Sequence, residues 1–314
     1  MDVIRGHLDA PAWSGAAVAI GNFDGVHVGH RALIRTARTL ADRNATRAVV
    51  LTFDPHPSAV VGSGAPPRLA SLDRRIELLE QAGVDSVVVE PFTRELAGRS
   101  ASSFVDDIVV SGLRARAIVV GYDFTYGHGR TGTTVALRDH GARVGVAVEV
   151  VPAVEVDGVV ASSSKIRASL RAGELAVAET LLGRYWDVDG VVVHGAKRGR
   201  TIGVPTANIA TACDLPIAPG IYAVTLAFGG EPRPAVASLG TNPTFVDGDH
   251  LVLEVHVLDW DGDLYGRTVR TTFVSRLRDE QKFDSVDALV VQIRHDIERA
   301  RTALADLVPR RLTT

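Results

Sequence analysis

The sequence predicts an α/β domain with a parallel sheet, followed by a smaller antiparallel β domain that ends in a helix. Three observations carry this expectation. The first half alternates short apolar runs with amphipathic helical patterns, the grammar of βαβ units and of a sheet covered on both faces. After Gly183 the chain changes to β-like runs separated by Gly, Pro and Asp, with no helical pattern until about Ser285. A final segment then restores helical periodicity.

In the first half, "AAVAI" (16–20), "RAVVLTF" (47–53), "VDSVVVE" (84–90), "ARAIVVG" (115–121) and "VGVAVEVV" (144–151) read as buried strands. Leu33, Ile34, Ala37, Leu40 and Ala41 define one helical face, and Ile76, Leu78, Leu79 and Ala82 another, ended by Gly83. "SSFVDDIVVSGL" and "TTVALRDHGA" supply two more helices. One further helix is expected from Ser164 to Leu182, with a serine cluster to cap its start and Gly183 to end it. The boundary is expected there, giving domains 1–184 and 185–314. In the second part, "WDVDGVVV", "GIYAVTLAF", "RPAVASLG", "HLVLEVHVLD" and "TVRTTFV" suggest a barrel or sandwich. A helix from Val286 to Leu307 follows, with Leu289, Ile293, Ile297, Ala300 and Leu304 on one side.

Composition narrows the function classes. Of 314 residues 46% are hydrophobic and 23% charged, a globular balance, and the net charge of −3 argues against nucleic acid or anionic lipid as a partner. One cysteine, Cys213, excludes an internal disulfide and a Cys-rich zinc site. The opening "MDVIRGHLDAPAWSG" lacks the apolar core of a secretory signal, and no run is long enough to span a membrane. A cytoplasmic protein is expected.

"AIGNFDGVHVGHR" (19–31) turns from the first apolar run into a helix. Gly21, Gly25 and Gly29 allow close backbone approach, and a helix N-terminus suits phosphate. His27 and His30 share a face of the first turn, where imidazoles can donate to phosphoryl oxygens. The competing readings are a structural histidine pair and a zinc site built with His56. "TFDPHPS" (52–58) and "GYDFTYGHGRTG" (121–132) follow other strands onto the same carboxyl edge, where open parallel sheets bind ligands. "SSSKIR" (162–167) starts a helix with hydroxyls and cations. Together the four stretches favour phosphate chemistry.

In the second domain, "HGAKRGRTIGVPTANIA" (194–210) is a basic glycine loop leading to Thr206 and Asn208. Their oxygens are of the kind Mg²⁺ takes beside phosphate, and they share a side if the segment is extended. Glu254 lies in a strand, where it can accept a hydroxyl proton or simply form a cross-strand ion pair. Arg278 sits in "RLRDEQKFDS" (276–285), otherwise a solvated charge cluster.

These motifs resemble the prokaryotic bifunctional riboflavin kinase/FAD synthetase family. "GNFDGVHVGH", "FDPHP" and "SSSKIR" are similar to its adenylyltransferase half. "PTAN", "PGIYAV", "SLGTNPTF" and "DLYG" follow in the order of its flavokinase half. The resemblance implies a Rossmann-like nucleotidylyltransferase domain joined to a small flavokinase-like barrel. It implies riboflavin, FMN and ATP as substrates and Mg²⁺ as cofactor, held by Thr206 and Asn208. It places Gly21, Phe23, Asp24, Gly25, His27, His30, Ser163, Ser164 and Arg167 at one ATP. Gly195, Lys197, Gly199, Gly203, Pro205, Thr206 and Asn208 fall at the other, with Glu254 as kinase base. Pro55, Pro57, Phe104, Asp123, Tyr126 and Arg278 fall near the flavin. The chain departs from the family pattern at Ser164 and Lys165, where Thr and Arg are usual, and at Asp123, often Asn. The alternatives are a nucleotidylyltransferase for another substrate and a non-catalytic flavin-binding module.

Overall fold

The computed structural model describes residues 1–62, 64–195, 202–241 and 251–305. By compactness these fall into two units, Met1–Pro66 with Leu72–Ser163, and Pro67–Ser71 with the chain from Ser164 onward.

The first unit holds a six-stranded parallel sheet in the order β1-β4-β3-β2-β5-β6. The strands are β1 (Asp2–Arg5), β2 (Ala16–Ile20), β3 (Arg47–Asp54), β4 (Ser86–Pro91), β5 (Ala115–Gly121) and β6 (Ala147–Val151), and a separate antiparallel pair follows, β7 (Glu155–Val156) and β8 (Val159–Val160). All five expected strands form. The edge strand β1, parallel to β4 and burying only Ile4, gave no sequence signal because its pattern is short and mostly exposed. Every residue of β2 is buried, as a central parallel strand requires. From β2 the chain first builds β3 and β4 on one side, then β5 and β6 on the other. The order therefore reverses beside β2, and such a reversal opens a ligand crevice at the carboxyl ends. Helix α1 (Val28–Arg43) packs Leu33, Ile34, Ala37 and Ala41 inward, as its periodicity predicts. The segment Phe104–Gly112 is wound as a π-helix, burying Phe104, Val105, Ile108 and Val109.

The helix expected over 164–182 is two helices, Ser163–Arg171 and Leu175–Leu182. Gly173, at φ +77°, breaks them, and its N–H closes on the carbonyl of Leu170, a left-handed stop that only glycine adopts at low cost. A Cβ there would also meet the Arg276 side chain at 2.9 Å.

The second unit closes a six-stranded antiparallel barrel in the order β10-β13-β12-β11-β14-β9. Its strands are β9 (Trp186–Val193), β10 (Ala207–Thr211), β11 (Gly220–Ala227), β12 (Arg233–Thr241), β13 (Leu251–Val257) and β14 (Thr268–Arg278). Of the barrel and the sandwich left open by the spacing, the barrel forms. Strand β10, hidden in sequence behind the glycine loop, pairs with β9 and β13 and shuts it. Trp186, Tyr222 and Phe273 fill the interior, with ring centroids 5.1 and 5.4 Å apart. The terminal helix Val286–Leu304 lays Ala300 and Leu304 against Ala223 and Leu277.

Candidate active sites

The loop after β2 is set by its buried side chains. Phe23 and Val26 are fully buried and both adopt positive φ, +50° and +42°, around Gly25 at +80°. A β-branched residue pays for that conformation, so the packing of Phe23 and Val26 must hold the turn. The loop delivers His27 to the N-cap of α1, where its Nδ1 accepts from the backbone N–H of His30 at 3.3 Å. That bond leaves Nδ1 bare and puts the ring proton on Nε2 in the neutral imidazole. The His30 ring stacks on His27 with centroids 3.6 Å apart. Burial first, then His27, then the Arg75 cation hold His30 well below the ordinary imidazole range, so it is neutral at pH 7. Its Nδ1 is buried with no hydrogen-bond partner among the described residues. The zinc alternative with His56 is not realised: no group of three His, Cys, Asp or Glu able to hold a metal exists among the described residues.

The loop after β3 is tied to the first. The amide of Asn22 contacts His56 Nε2 at 3.2 Å, while His56 Nδ1 accepts from Ser58 N–H. Thr52 and Arg75 both donate to the carbonyl of Asn22, at 3.0 and 2.8 Å. Arg75 also donates to Phe53 and lies 3.8 Å from the Asp54 carboxylate. Arg75 and Asn22 escaped the sequence reading: an Arg-Arg pair in a helix looks like a solvated face, yet Arg75 is buried. Pro55 is exposed and Pro57 half-buried beside this loop.

After β5, Tyr126 bridges to Gly132 and packs 5.8 Å from Phe104, its phenol pKa pushed up by burial. The structure thus brings these two expected residues together. It adds Phe53, Phe92 and Phe124, which continue the aromatic row through contacts of 5.4 to 6.4 Å. Asp123 is exposed. Ser163 Oγ donates to the carbonyl of Asp24 at 2.9 Å. Ser164 and Arg167 belong to the second unit, where Arg167 is buried and donates to the carbonyl of Pro67 at 2.7 Å.

In the barrel, register makes the site. Asn208 on β10 stands directly opposite Glu254 on β13, and Ser238 on β12 faces Glu254 from the other side. Directly paired residues share a face. Here it is the outer one, because Leu253 and Val255 point into the core. Gly195 lies against Asn208 so closely that a Cβ would strike its amide. His256, two residues beyond Glu254, has Nδ1 2.8 Å from the carbonyl of Pro205. His194, just before the glycine loop, packs on Tyr265 at 4.0 Å. Gly203, Pro205 and Thr206 lead into β10, whereas Lys197 and Gly199 lie outside the described residues. The guanidinium of Arg278 grips Asp296 of the terminal helix at 2.8–3.0 Å.

Comparison with known proteins follows the same division. Residues 9–165 match the family model described as FAD synthetase, and residues 182–304 the one described as riboflavin kinase. A bifunctional riboflavin kinase/FMN adenylyltransferase of Escherichia coli K12 is 39% identical over 96% of this chain and 97% of its own. That of Bacillus subtilis is 35% identical over 94% of each. A crystal structure described as a macrolide-efflux protein from Streptococcus pneumoniae superposes with a TM-score of 0.86 at 33% identity, covering 96% of this chain and 99% of that one. Efflux is said of that protein; here no helix among the described residues is long and apolar enough to cross a membrane. With both halves matched in order and relatives aligned over nearly their whole length, the chain belongs to the bifunctional riboflavin kinase/FMN adenylyltransferase family.

Proposed function

We propose a division of labour in which residues 185–314 phosphorylate riboflavin and residues 1–184 adenylylate the FMN so made. The observation that carries it is that each compact unit holds its own chemical set: His27 and His30 in the first, Asn208 and Glu254 in the second.

In the kinase reaction the 5′-hydroxyl of riboflavin attacks the γ-phosphorus of ATP, and ADP leaves. Glu254 accepts the hydroxyl proton as the new O–P bond forms. Thr206 and Asn208 offer neutral oxygens to Mg²⁺, a set that fits an ion taking few protein ligands and completing its shell with phosphate and water. When bound, the ion neutralises charge on the phosphoryl oxygens. The surrounding chain fixes the geometry: β10 holds Asn208 opposite Glu254, and Gly195 leaves room for its amide.

In the adenylyl reaction the FMN phosphate attacks the α-phosphorus of a second ATP, and pyrophosphate leaves. No protein base is needed, because the phosphate is already ionised. His27 Nε2–H and neutral His30 donate to the phosphoryl oxygens at the N-terminus of α1, where the helix dipole adds positive potential. The Nδ1 of His30, without a partner among the described residues, supports this reading: in the tautomer that carries the proton there, a buried donor left unpaired costs about 1–3 kcal/mol that a bound oxygen would relieve. Phe104 and Tyr126, within their aromatic row, are assigned to the flavin. Both reactions consume ATP, which supports a cytoplasmic placement.

The test incubates the protein with riboflavin, ATP and Mg²⁺ and separates the flavins. Glu254→Gln is expected to stop FMN formation and spare FMN-to-FAD conversion. His27→Ala with His30→Ala should do the reverse, so that FMN accumulates. A double variant making FAD at the native rate would sink the phosphate role of the histidines.

A further inference from the structure

We propose that His256 is a positioning residue of the kinase reaction, fixing Thr206 by holding the carbonyl of Pro205. The proposal rests on the reading of Thr206 as a nucleotide-facing oxygen.

Strand β10 pairs with β13 through Ala207↔Val255, Asn208↔Glu254 and Ile209↔Leu253. One step further out, the same register sets Thr206 opposite His256. The ladder itself ends at Ala207, and Pro205, two residues before it, has no N–H to donate. The His256 ring supplies a donor to the Pro205 carbonyl, with Nδ1 2.8 Å from the oxygen. A carbonyl only accepts, so Nδ1 carries the proton.

The consequence falls on Thr206. It is fixed on its C-terminal side by the ladder beginning at Ala207 and on its N-terminal side by the pinned Pro205. Thr206 itself and Gly203 to Pro205 lie outside the barrel's ladders, so among the described residues the pin is what holds the segment on the N-terminal side of Thr206. His256 and Glu254, two apart on β13, share the outer face of the strand. One strand therefore presents the proton acceptor and, one side chain further on, the support for the oxygen ligand across from it. Displacing a positioned group by about 1 Å can cost up to about 100-fold in rate, so a single hydrogen bond to the backbone beside Thr206 is kinetically visible.

The experiment uses the full chain and measures its two activities separately, riboflavin to FMN and FMN to FAD. His256→Phe keeps a ring and removes the donor; His256→Asn keeps a donor close to the position of Nδ1. His256→Phe is expected to raise the kinase KM for ATP about tenfold and leave FMN-to-FAD conversion unchanged. His256→Asn should recover most of the loss. An unchanged kinase KM in His256→Phe overturns the proposal. So does an equal defect in His256→Asn, or a parallel fall of both activities, which would mark the residue as merely structural. Thr206→Ala, assayed alongside, separates the two layers. If it leaves the kinase reaction intact, the reading of the site itself fails and the positioning role falls with it. If it impairs the kinase while His256→Phe is silent, only the positioning role fails.

Discussion

The His30 imidazole stacks on that of His27, 3.6 Å between centroids and 21° from parallel, while the backbone N–H of His30 donates to His27 Nδ1. Each histidine thus fixes the other. His27 caps the helix that carries His30, and the cap leaves the remaining ring proton of His27 on the nitrogen that is not spent on the backbone. Two imidazoles three residues apart make one rigid unit.

Gly29 is what lets that unit close. A Cβ at this position would stand 3.0 Å from His27 Cε1, 3.1 Å from its Nδ1 and 3.4 Å from the carbonyl of Ala161. Gly29→Ala favours the helix by about 1 kcal/mol through propensity and strains the cap, which is worth about 1 kcal/mol in full. Stability should therefore change little. FMN-to-FAD conversion should fall at least about tenfold as the ring is pushed off its place, with riboflavin phosphorylation unchanged. Steady-state rates of the two half-reactions and a thermal melt decide it, and an unaffected FAD rate would refute the argument.

The same loop shows how far a sequence can be read. The turn, its glycines and the capped helix are local, and local patterns announce them. Five of the six strands of the parallel sheet are also legible: burial on both faces writes continuous apolar runs in β2, β3, β4 and β5, and the edge strand β6 keeps a mostly apolar run although only Val151 is buried. What is illegible is made by distant contacts. Arg75 is buried against the carbonyls of Asn22 and Phe53, and only the folded chain shows that its helix turns that face inward. Strand β10 is likewise short and flanked by loop residues; its pairing with β9 and β13, not its own composition, makes it a strand. The pairing of Arg278 with Asp296 is illegible for the same reason: Asp296 lies across a loop, buried on a helix face whose periodicity reads as apolar.

His30 gives a pH dependence with a definite sign. Burial, His27 and Arg75 lower its pKa well below the ordinary 6.5, so the folded chain binds fewer protons there than the unfolded chain. The stability this contributes is complete above the unfolded value and is lost as pH falls below it toward the folded one. Between pH 7.5 and 5.5 the melting temperature of the native protein should drop more steeply than that of His30→Gln, which lacks the group. Parallel curves would contradict the lowered pKa.

Half-buried Arg278 and Asp296, the latter only 2% exposed, form a bidentate pair, and Asp296 also accepts from Gln292. Removing one partner strands the other, at a cost of about 3–5 kcal/mol, whereas replacing both by apolar groups is far milder. Asp296→Ala should therefore loosen the terminal helix in urea denaturation, and Arg278→Met with Asp296→Leu should restore much of the loss. The result also bears on the flavin contact expected of Arg278. A stable Arg278→Lys with a raised KM for riboflavin would return it to the substrate, while a change in stability alone keeps it as a clasp.

Gly195 plays toward Asn208 the part that Gly29 plays toward His27. A Cβ on Gly195 would fall on the Asn208 amide, nearest Nδ2 and Cγ, and 2.7 Å from Oδ1. The ladders on both edges of β10 hold the Asn208 backbone, so the side chain must take the displacement and carry its amide away from the place it holds. Gly195→Ala should then lower kinase turnover at least about tenfold and spare FMN-to-FAD conversion. If the damage runs through Asn208, it should vanish in an Asn208→Ala background, where no amide remains to be displaced; the two substitutions would be strongly non-additive. Kinetics of the two single variants and the double variant measure this directly. Additive losses would mean that Gly195 meets the nucleotide itself, through a backbone that a methyl group obstructs, and that the close approach to Asn208 is incidental.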